Sequence, residues 1–324
     1  MKTFGNKFKV TINGSSHGDT VSVDIVGCPS GIPVSQDEFI GDLLKRKSGA
    51  PGTTKRIESD IPDIISGIYQ GQTTGSMISI AFDNKDTHSK DYDKFIDVPR
   101  PGHADLTNKV KYKGQNDHRG GGQASGRMTL PLVAAGVIAK KIIPDVKFDT
   151  KLIEVHGSKN IDSQVEKAVE ENDSVGGIIE SRISNIAVGL GEPFFDSVES
   201  MISHIIFSIP GIKGIEFGTG FESAKMKGSE CNDVFIDEQG STATNNAGGI
   251  NGGISNGNEI VFRVAVKPTS SIGKAQRTFN FKTKEMTDLV IEGRHDVCFA
   301  LRTPIIVENA AAIVLADLYL RYKL

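Results

Sequence analysis

At 324 residues the chain is long enough to bury a large core, in one domain or in two. Its formal net charge of -3, with 37 basic against 40 acidic residues, excludes the global basic field typical of proteins that bind nucleic acid or membrane surfaces. Its three cysteines are far apart and odd in number, which disfavours a disulfide framework and indicates a reducing compartment. We therefore expect a cytoplasmic protein with neither a nucleic-acid partner nor a membrane partner.

The first half of the chain predicts strands and then helices. Alternating apolar residues predict strands over 7–12 and 20–26, and 77–82 is a third candidate. Ser35, followed three residues later by Glu38, has the spacing of a capping box and starts a helix that runs into the basic cluster 45–47. Pro131 is tolerated in a first helical turn, so an apolar and buried helix is expected from about Thr129 to Ile143.

The second half predicts a short helix over 163–172, a strand over 177–190, an amphipathic helix over 196–209 and a strand over 260–266. An apolar helix follows from about 307 to 322. Glu308 and Asp317 interrupt its apolar stretch, so it is not expected to span a bilayer. Because strands and helices come in runs, with no disordered linker between them, we expect an α+β fold in a single domain over residues 1–324.

Six segments place glycines or short hydroxyl side chains beside charged residues: 14–18, 100–105, 119–127, 245–255, 267–271 and 293–296. Glycine lets backbone N–H groups approach a ligand closely, and arginine forks suit phosphate and carboxylate groups. Any one segment is explained as well by a tight turn or a surface ion pair. Together they predict one anionic site built from several loops. The sequence holds no C-x-x-C or H-E-x-x-H segment, so no metal site is predicted.

In their order along the chain, these segments resemble those of the chorismate synthase family. Further matches are Gly-Cys-Pro at 27–29, Ser-Gly-Ile-Tyr at 66–69, Ser-Lys-Asp-Tyr at 89–92 and Gly-Leu-Gly-Glu-Pro at 189–193, so the resemblance covers essentially the whole length. It implies a single catalytic domain in which a helical core packs between antiparallel β-sheets. It also implies a carbon–oxygen lyase that requires reduced FMN. The implied reaction is an anti-1,4-elimination of phosphate from 5-enolpyruvylshikimate 3-phosphate, which gives chorismate and ends the shikimate pathway of aromatic amino-acid biosynthesis.

The resemblance also implies roles for individual residues. His17 matches a family histidine that acts as an acid near the departing phosphate, and His103 matches one near the flavin ring. Asp296 resembles the family carboxylate that helps to take up the C6 proton. The residues implied to bind the substrate, which carries one phosphate and two carboxylates, are Ser16, Arg46, Arg119 and Arg127. The implied flavin contacts are Gln123, Ala124, Ser125, Pro210, Gly211, Gly252, Lys267, Pro268, Thr269, Ser270, Ser271 and Arg294.

The chain departs from the family pattern in two places. Most bacterial members have Arg-Ser-Ser after the triple glycine, where this chain has Gln123-Ala124-Ser125 and so lacks a guanidinium and a hydroxyl. This change leaves open a catalytically silent paralogue that binds flavin without releasing phosphate. The loop after Arg46, which the family associates with NADPH, is shortened, and Gly52 stands near the place of a second arginine.

Partners follow from the same resemblance. Nothing resembling a flavin reductase segment is present in the sequence, so an external reductase is expected to supply reduced FMN. Family members are usually homotetramers, and the same is expected here. A different class, an RNA-binding module built on the same glycine loops, is disfavoured by an aromatic content of 6% and by the lack of an RNP-type aromatic pattern.

Overall fold

The computed structural model describes residues 3–54, 56, 58–86, 89–293 and 295–322. Over these residues the helices are α1 (Asp37–Arg46), α2 (Asp105–Lys111), α3 (Thr129–Ile142), α4 (Ile161–Glu170), α5 (Val198–Ile206), α6 (Gly228–Cys231) and α7 (Pro304–Tyr322). The strands are β1 (Thr3–Phe4), β2 (Lys9–Gly14), β3 (Thr20–Val26), β4 (Asp63–Ser66), β5 (Ile68–Tyr69), β6 (Gln72–Thr73), β7 (Ile78–Asp83), β8 (Lys147–Val155), β9 (Gly177–Ser184), β10 (Ile212–Phe217), β11 (Ile250–Asn251), β12 (Ile254–Ser255), β13 (Ile260–Val266), β14 (Gln276–Asn280) and β15 (Glu285–Leu289).

Two antiparallel sheets form the outer layers. One has the strand order β1-β2-β3-β7-β4, and the other has the order β10-β13-β9-β8. Successive side chains of a strand point to opposite faces of its sheet, so every second residue can be apolar and buried. In β3 these residues are Val21, Val23 and Ile25, all fully buried, and Val23 lies opposite the equally buried Ile80 of β7. Each sheet therefore has one apolar face that a further layer must cover.

The helices α3 and α7 fill the space between the sheets. α3 packs on β2, β3 and β7, α7 packs on β8 and β9, and the two helices pack on each other. Both are apolar on nearly every side, as expected for helices surrounded by protein. At Gly136 of α3 an added Cβ would lie 2.3 Å from Cβ of Asn309 in α7, so the close helix contact requires glycine. The predicted α+β fold, with a helical core between antiparallel sheets, is confirmed.

The predicted elements differ from the observed ones mainly at their ends. The strands predicted over 20–26 and 260–266 have the bounds of β3 and β13. The strand predicted over 177–190 ends at Ser184, because Asn185 turns the backbone with a φ of 61°. α5 begins at Val198 because the Ser197 side chain accepts a hydrogen bond from the Ser200 N–H. No helix of the described residues combines the length and the apolar character needed to cross a bilayer.

The segment before β2 is fastened to α7 by a buried carboxylate. Asp317 is fully buried, and its Oδ1 accepts hydrogen bonds from the backbone N–H groups of Asn6, Lys7 and Phe8 at 2.8, 2.6 and 2.8 Å. Bonds to an ionised acceptor are stronger than neutral ones. β2 therefore starts from a fixed point, and it leads directly into the glycine-rich loop 14–18.

Candidate active site

One cleft, with a cavity of about 520 Å³, brings together most of the predicted segments. Its walls are formed by Ser16, by Tyr92 and by described residues of the segments 46–60, 100–104, 120–127, 207–213, 267–271 and 295–302. The predicted site residues that line it are Ser16, Arg46, His103, Gln123, Ala124, Ser125, Arg127, Pro210, Gly211, Lys267, Pro268, Thr269, Ser270, Ser271 and Asp296. The loops that the sequence grouped by composition are therefore close in space.

Of the other four predicted residues, His17, Arg119 and Gly252 lie outside the cleft lining. Arg119 is 43% exposed outside the cleft lining, and its Nε and Nη2 donate to the carboxylate of Asp117 at 2.8 and 3.0 Å. Gly252 lies in the turn between β11 and β12, also outside that lining. Arg294 lies outside the described residues.

The triple glycine 120–122 brings the two predicted catalytic histidines to one turn. All three glycines have a positive φ, which other residues rarely adopt. A Cβ on Gly120 would lie 2.5 Å from Nε2 of His17, and a Cβ on Gly121 would lie 3.4 Å from Nε2 of His103. His103 lines the cleft, whereas His17 lies beyond its lining, with its ring edge-on to Tyr92 at 5.2 Å between centroids.

Two arginines of the cleft share one buried carboxylate. Nη2 of Arg46 is 2.8 Å from Oδ2 of Asp60, and Nη1 of Arg127 donates to Oδ1 of the same residue. All three side chains are at least 95% buried. Burial lowers the pKa of Arg46 to about 10, so its guanidinium remains charged at neutral pH. One carboxylate between two guanidinium groups leaves a positive charge at this wall, and Nε of Arg46 has no hydrogen-bond partner among the residues that the structure describes.

Arg56 is a cation of the cleft that the sequence analysis missed. Its Nη1 donates to Oγ of Ser16 at 3.1 Å, and its Nη2 donates to Oε1 of Glu58 at 2.7 Å. Oγ of Ser125 donates to the same Ser16 oxygen at 3.1 Å. The signal in the sequence is weak, because Arg56 follows a Gly-, Pro- and Thr-rich loop whose path cannot be read from its composition.

His103 is oriented by the carboxylate of Asp105, the first residue of α2. Its Nδ1 lies 2.6 Å from Oδ1 of Asp105, and Nε of Arg100 donates to Oδ2 at 2.8 Å. Burial acts to raise the pKa of Asp105, but the hydrogen bonds from Arg100 and His103 hold it well below its usual range. Nη1 of Arg100 donates a hydrogen bond to Oγ of Ser271 at 3.1 Å, which connects this loop to the segment 267–271 that is predicted to bind flavin.

Two lysines at one end of the cleft lack a carboxylate partner among the described residues. Nζ of Lys267 donates to the Gly102 carbonyl at 2.8 Å and to Oγ of Ser270 at 2.6 Å. Lys213 is the extra residue of a β-bulge in β10, where the register with β13 shifts between Ile212 and Gly214. Burial, and then the charge of Lys213, lower the pKa of Lys267. This end therefore carries positive charge that no carboxylate of the described chain offsets.

Asp296 meets a second cation that the sequence analysis missed. Nε and Nη2 of Arg302 donate to its Oδ1 and Oδ2 at 3.0 and 2.7 Å. The backbone N–H of Thr54 also donates to Oδ1, at 3.0 Å. Arg302 stands six residues after Asp296, just before the N-terminus of α7, and the apolar pattern around it gave no reason to select it.

The lining as a whole is strongly basic. Among its described residues the cations are Arg46, Lys47, Arg56, Arg100, Arg127, Lys213, Lys267 and Arg302, and the carboxylates are Glu58, Asp60 and Asp296. This excess of cations lies in a chain of net charge -3, so the positive field is local. Such a cleft suits a small ligand with several negative charges.

Comparison with known proteins finds relatives that match nearly the whole chain. The family model for chorismate synthase matches residues 8–320. Chorismate synthase of Chitinophaga pinensis is 54% identical over 321 residues, which cover 99% of this chain and 97% of the relative. That of Methanocaldococcus jannaschii is 41% identical over 366 residues, with 99% and 97% covered. A solved chorismate synthase structure, 24% identical, superposes with a TM-score of 0.76 over 98% of this chain and 93% of its own. The chain therefore belongs to the chorismate synthase family.

Proposed function

We propose that this chain catalyses the anti-1,4-elimination of phosphate from 5-enolpyruvylshikimate 3-phosphate, which yields chorismate. The reaction breaks a C–H bond and a C–O bond, forms a carbon–carbon double bond, and releases a proton and inorganic phosphate without net oxidation or reduction. The observation that carries the proposal is the local excess of cations in the cleft. A substrate with one phosphate and two carboxylates needs several converging cations to offset the cost of removing its anionic groups from water.

The buried wall is suited to hold the anionic groups of the substrate. Arg46 and Arg127 share a single carboxylate, and Ser16, which accepts a hydrogen bond from Arg56, lines the same cleft. We assign substrate binding to Ser16, Arg46 and Arg127, with Arg56 as a further contact. His103, held by Asp105, is assigned to the ring end of the flavin, and Asp296 to the uptake of the C6 proton. His17, whose ring lies behind Gly120 of the lining, is assigned to the acid near the departing phosphate.

The cleft also fits reduced FMN. Lys213 and Lys267 offer charges that lack a carboxylate partner in the described chain, and Thr269, Ser270 and Ser271 supply hydroxyl groups beside them. The cavity of about 520 Å³ falls within the usual range for cofactor pockets, about 300–1,000 Å³. When bound, reduced flavin supplies electron density to the allylic system of the substrate and promotes the loss of phosphate. The protein's part is to hold both molecules and keep water out.

The departure at Gln123 and Ala124 removes one guanidinium relative to the family pattern, but the wall keeps the positive charge of Arg46, Arg56 and Arg127. Both residues line the cleft, and Ser125, the third residue of the segment, lies next to Ser16. Arg56 delivers a guanidinium to the same serine from the neighbouring loop. We therefore favour an active enzyme over a silent flavin-binding paralogue.

We extend the proposal to the assembly and its surroundings: one catalytic domain over residues 1–324, a homotetramer, a cytoplasmic location and an external reductase. The large apolar core, whose members come from Phe8 to Leu318 of the described chain, supports the one-domain assignment. Phe194 and Phe195, 86% and 91% exposed, support association with further copies. We assign no NADPH binding to this chain, and in this proposal the reductase is the protein that oxidises NADPH.

The proposal is tested by anaerobic phosphate release from 5-enolpyruvylshikimate 3-phosphate with dithionite-reduced FMN, with chorismate absorbance followed in parallel. We expect equal amounts of phosphate and chorismate, both dependent on reduced flavin. Controls contain oxidised FMN, or no flavin. Binding of FMN without either product would instead support the silent paralogue.

A further inference from the structure

Arg302 binds Asp296 through a fork of two parallel hydrogen bonds, at 3.0 and 2.7 Å. Both side chains are 11% exposed, so the pair is largely removed from water. An arginine fork fixes the plane of a carboxylate, which a single contact does not do. The pair therefore determines how Asp296 is oriented in the cleft.

The two oxygens of Asp296 are not used equally. Oδ1 accepts from Nε of Arg302 and from the Thr54 N–H, which fills both of its lone-pair directions. Within the described chain, Oδ2 accepts from Nη2 of Arg302 alone. One direction at Oδ2 is thus left for a hydrogen bond or a proton from a ligand.

Arg302 is itself held in place. Its guanidinium lies over the ring of Phe299, 4.8 Å from the centroid. At Gly126 an added Cβ would lie 3.2 Å from that ring and 3.6 Å from Nη2 of Arg302, so a larger residue would crowd both groups. Arg302 and the buried Arg46 line the same cleft, so the pair with Asp296 belongs to the same site as the substrate wall.

We infer that Arg302 is a positioning residue for the elimination: it orients Asp296 so that Oδ2, and not Oδ1, faces the reacting groups. The inference rests on the proposed function and on the assignment of Asp296 to proton uptake. In this role Arg302 does not contact the substrate. Arg302 acts through the carboxylate of Asp296, so its loss affects the chemical step and not substrate binding.

The test compares Arg302→Met and Arg302→Lys with the wild type in single-turnover and steady-state assays. Isothermal titration with 5-enolpyruvylshikimate 3-phosphate gives substrate affinity independently of turnover. We expect Arg302→Met to lower kcat by about 100-fold, as for a misplaced catalytic group, with the substrate Kd changed by less than about threefold. Arg302→Lys keeps the charge but loses the fork, so an intermediate loss is expected.

A double-mutant cycle with Asp296→Asn separates positioning from other roles. If Arg302 acts through Asp296, the double variant loses no more kcat than Asp296→Asn alone. Losses that multiply, or a tenfold or larger rise in substrate Kd for Arg302→Met, would overturn the inference and make Arg302 a direct anion contact. Arg263→Met is the matched control, because Arg263 of β13 pairs with Glu216 of β10 outside the cleft lining.

Two further readouts keep the outcomes distinct. If Arg302→Met does not fold, as judged by thermal unfolding, Arg302→Lys carries the test. If the wild type releases no phosphate with reduced FMN, the proposed function fails. The inference then fails with it, whereas normal wild-type turnover with an unchanged kcat in both Arg302 variants overturns the inference alone.

Discussion

The ionised state of Asp105 links the site to the stability of the fold. The neighbouring Arg100 is 4% exposed, and Asp105 is its carboxylate partner. Removing one partner of a buried ion pair leaves the other charge unpaired, which typically costs about 3–5 kcal/mol. We therefore expect Asp105→Asn to lower the melting temperature clearly at pH 7.

The effect should depend on pH in a defined direction. The folded-state pKa of Asp105 is depressed, so its contribution is fully present above the unfolded value of about 3.9. It is lost as pH falls below that value towards the folded pKa, by at most about 1.4 kcal/mol per pH unit. The gap in melting temperature between wild type and Asp105→Asn should thus narrow from pH 7 to pH 3. Asp93→Asn, which affects an exposed pair with His118, should show little change at pH 7.

For individual residues, the sequence could predict which loops form the cleft, but it could not predict every residue that acts in it. Glycine and hydroxyl composition identified Ser16, His103 and the 267–271 segment, because these motifs are local. Arg56 and Arg302 escaped prediction because their partners, Ser16 and Asp296, are brought to them by tertiary folding. Arg119 lies in a motif rich in arginine and glycine, yet a carboxylate two residues away holds it outside the cleft lining.

Among the secondary-structure elements, α7 fills the core and also holds the segment before β2 in place. Asp317 accepts three backbone N–H bonds from residues 6–8, so its loss would leave buried donors without a partner. We expect Asp317→Ala to destabilise the protein by about 3 kcal/mol or more in urea unfolding. Asp317→Asn retains one acceptor oxygen and should lose less. Equal losses in the two variants would contradict the role assigned to Oδ1.

Element types were predictable because burial imposes a period on the sequence. Alternation gave β3 and β13, and uninterrupted apolar residues gave α3 and α7. Element ends were less predictable, since they depend on single backbone contacts. α7 starts at Pro304, three residues before the predicted start, because proline fits a first helical turn without a lost hydrogen bond.

For the whole molecule, the four layers explain why one cleft can be built from distant segments. The two sheets and the two central helices bury one continuous core, so the loops at their ends are held in fixed relation to one another. The positive charge of the site is local for the same reason: cations from many loops converge, although the chain as a whole is acidic. The composition gives only the net charge of the chain, whereas the fold shows where the positive charges are concentrated.

The proposed homotetramer gives a prediction at the same scale. Phe194 has a φ of 68°, a conformation that is rare for an aromatic residue, and it places two phenylalanine side chains, 86% and 91% exposed, in solvent. Two adjacent exposed rings form an apolar patch of the kind that a contact with another chain would cover. We expect light scattering with size-exclusion chromatography to give four times the chain mass of 34.8 kDa.

The double substitution Phe194→Ser with Phe195→Ser should shift that mass towards smaller species over a dilution series. Because neither ring is part of the core, the melting temperature of the dissociated chain should change little, and circular dichroism should keep its native form. A wild-type mass equal to one chain would contradict the tetramer. An unchanged tetramer in the double variant would place the interface elsewhere and leave the strained backbone at Phe194 without an explanation.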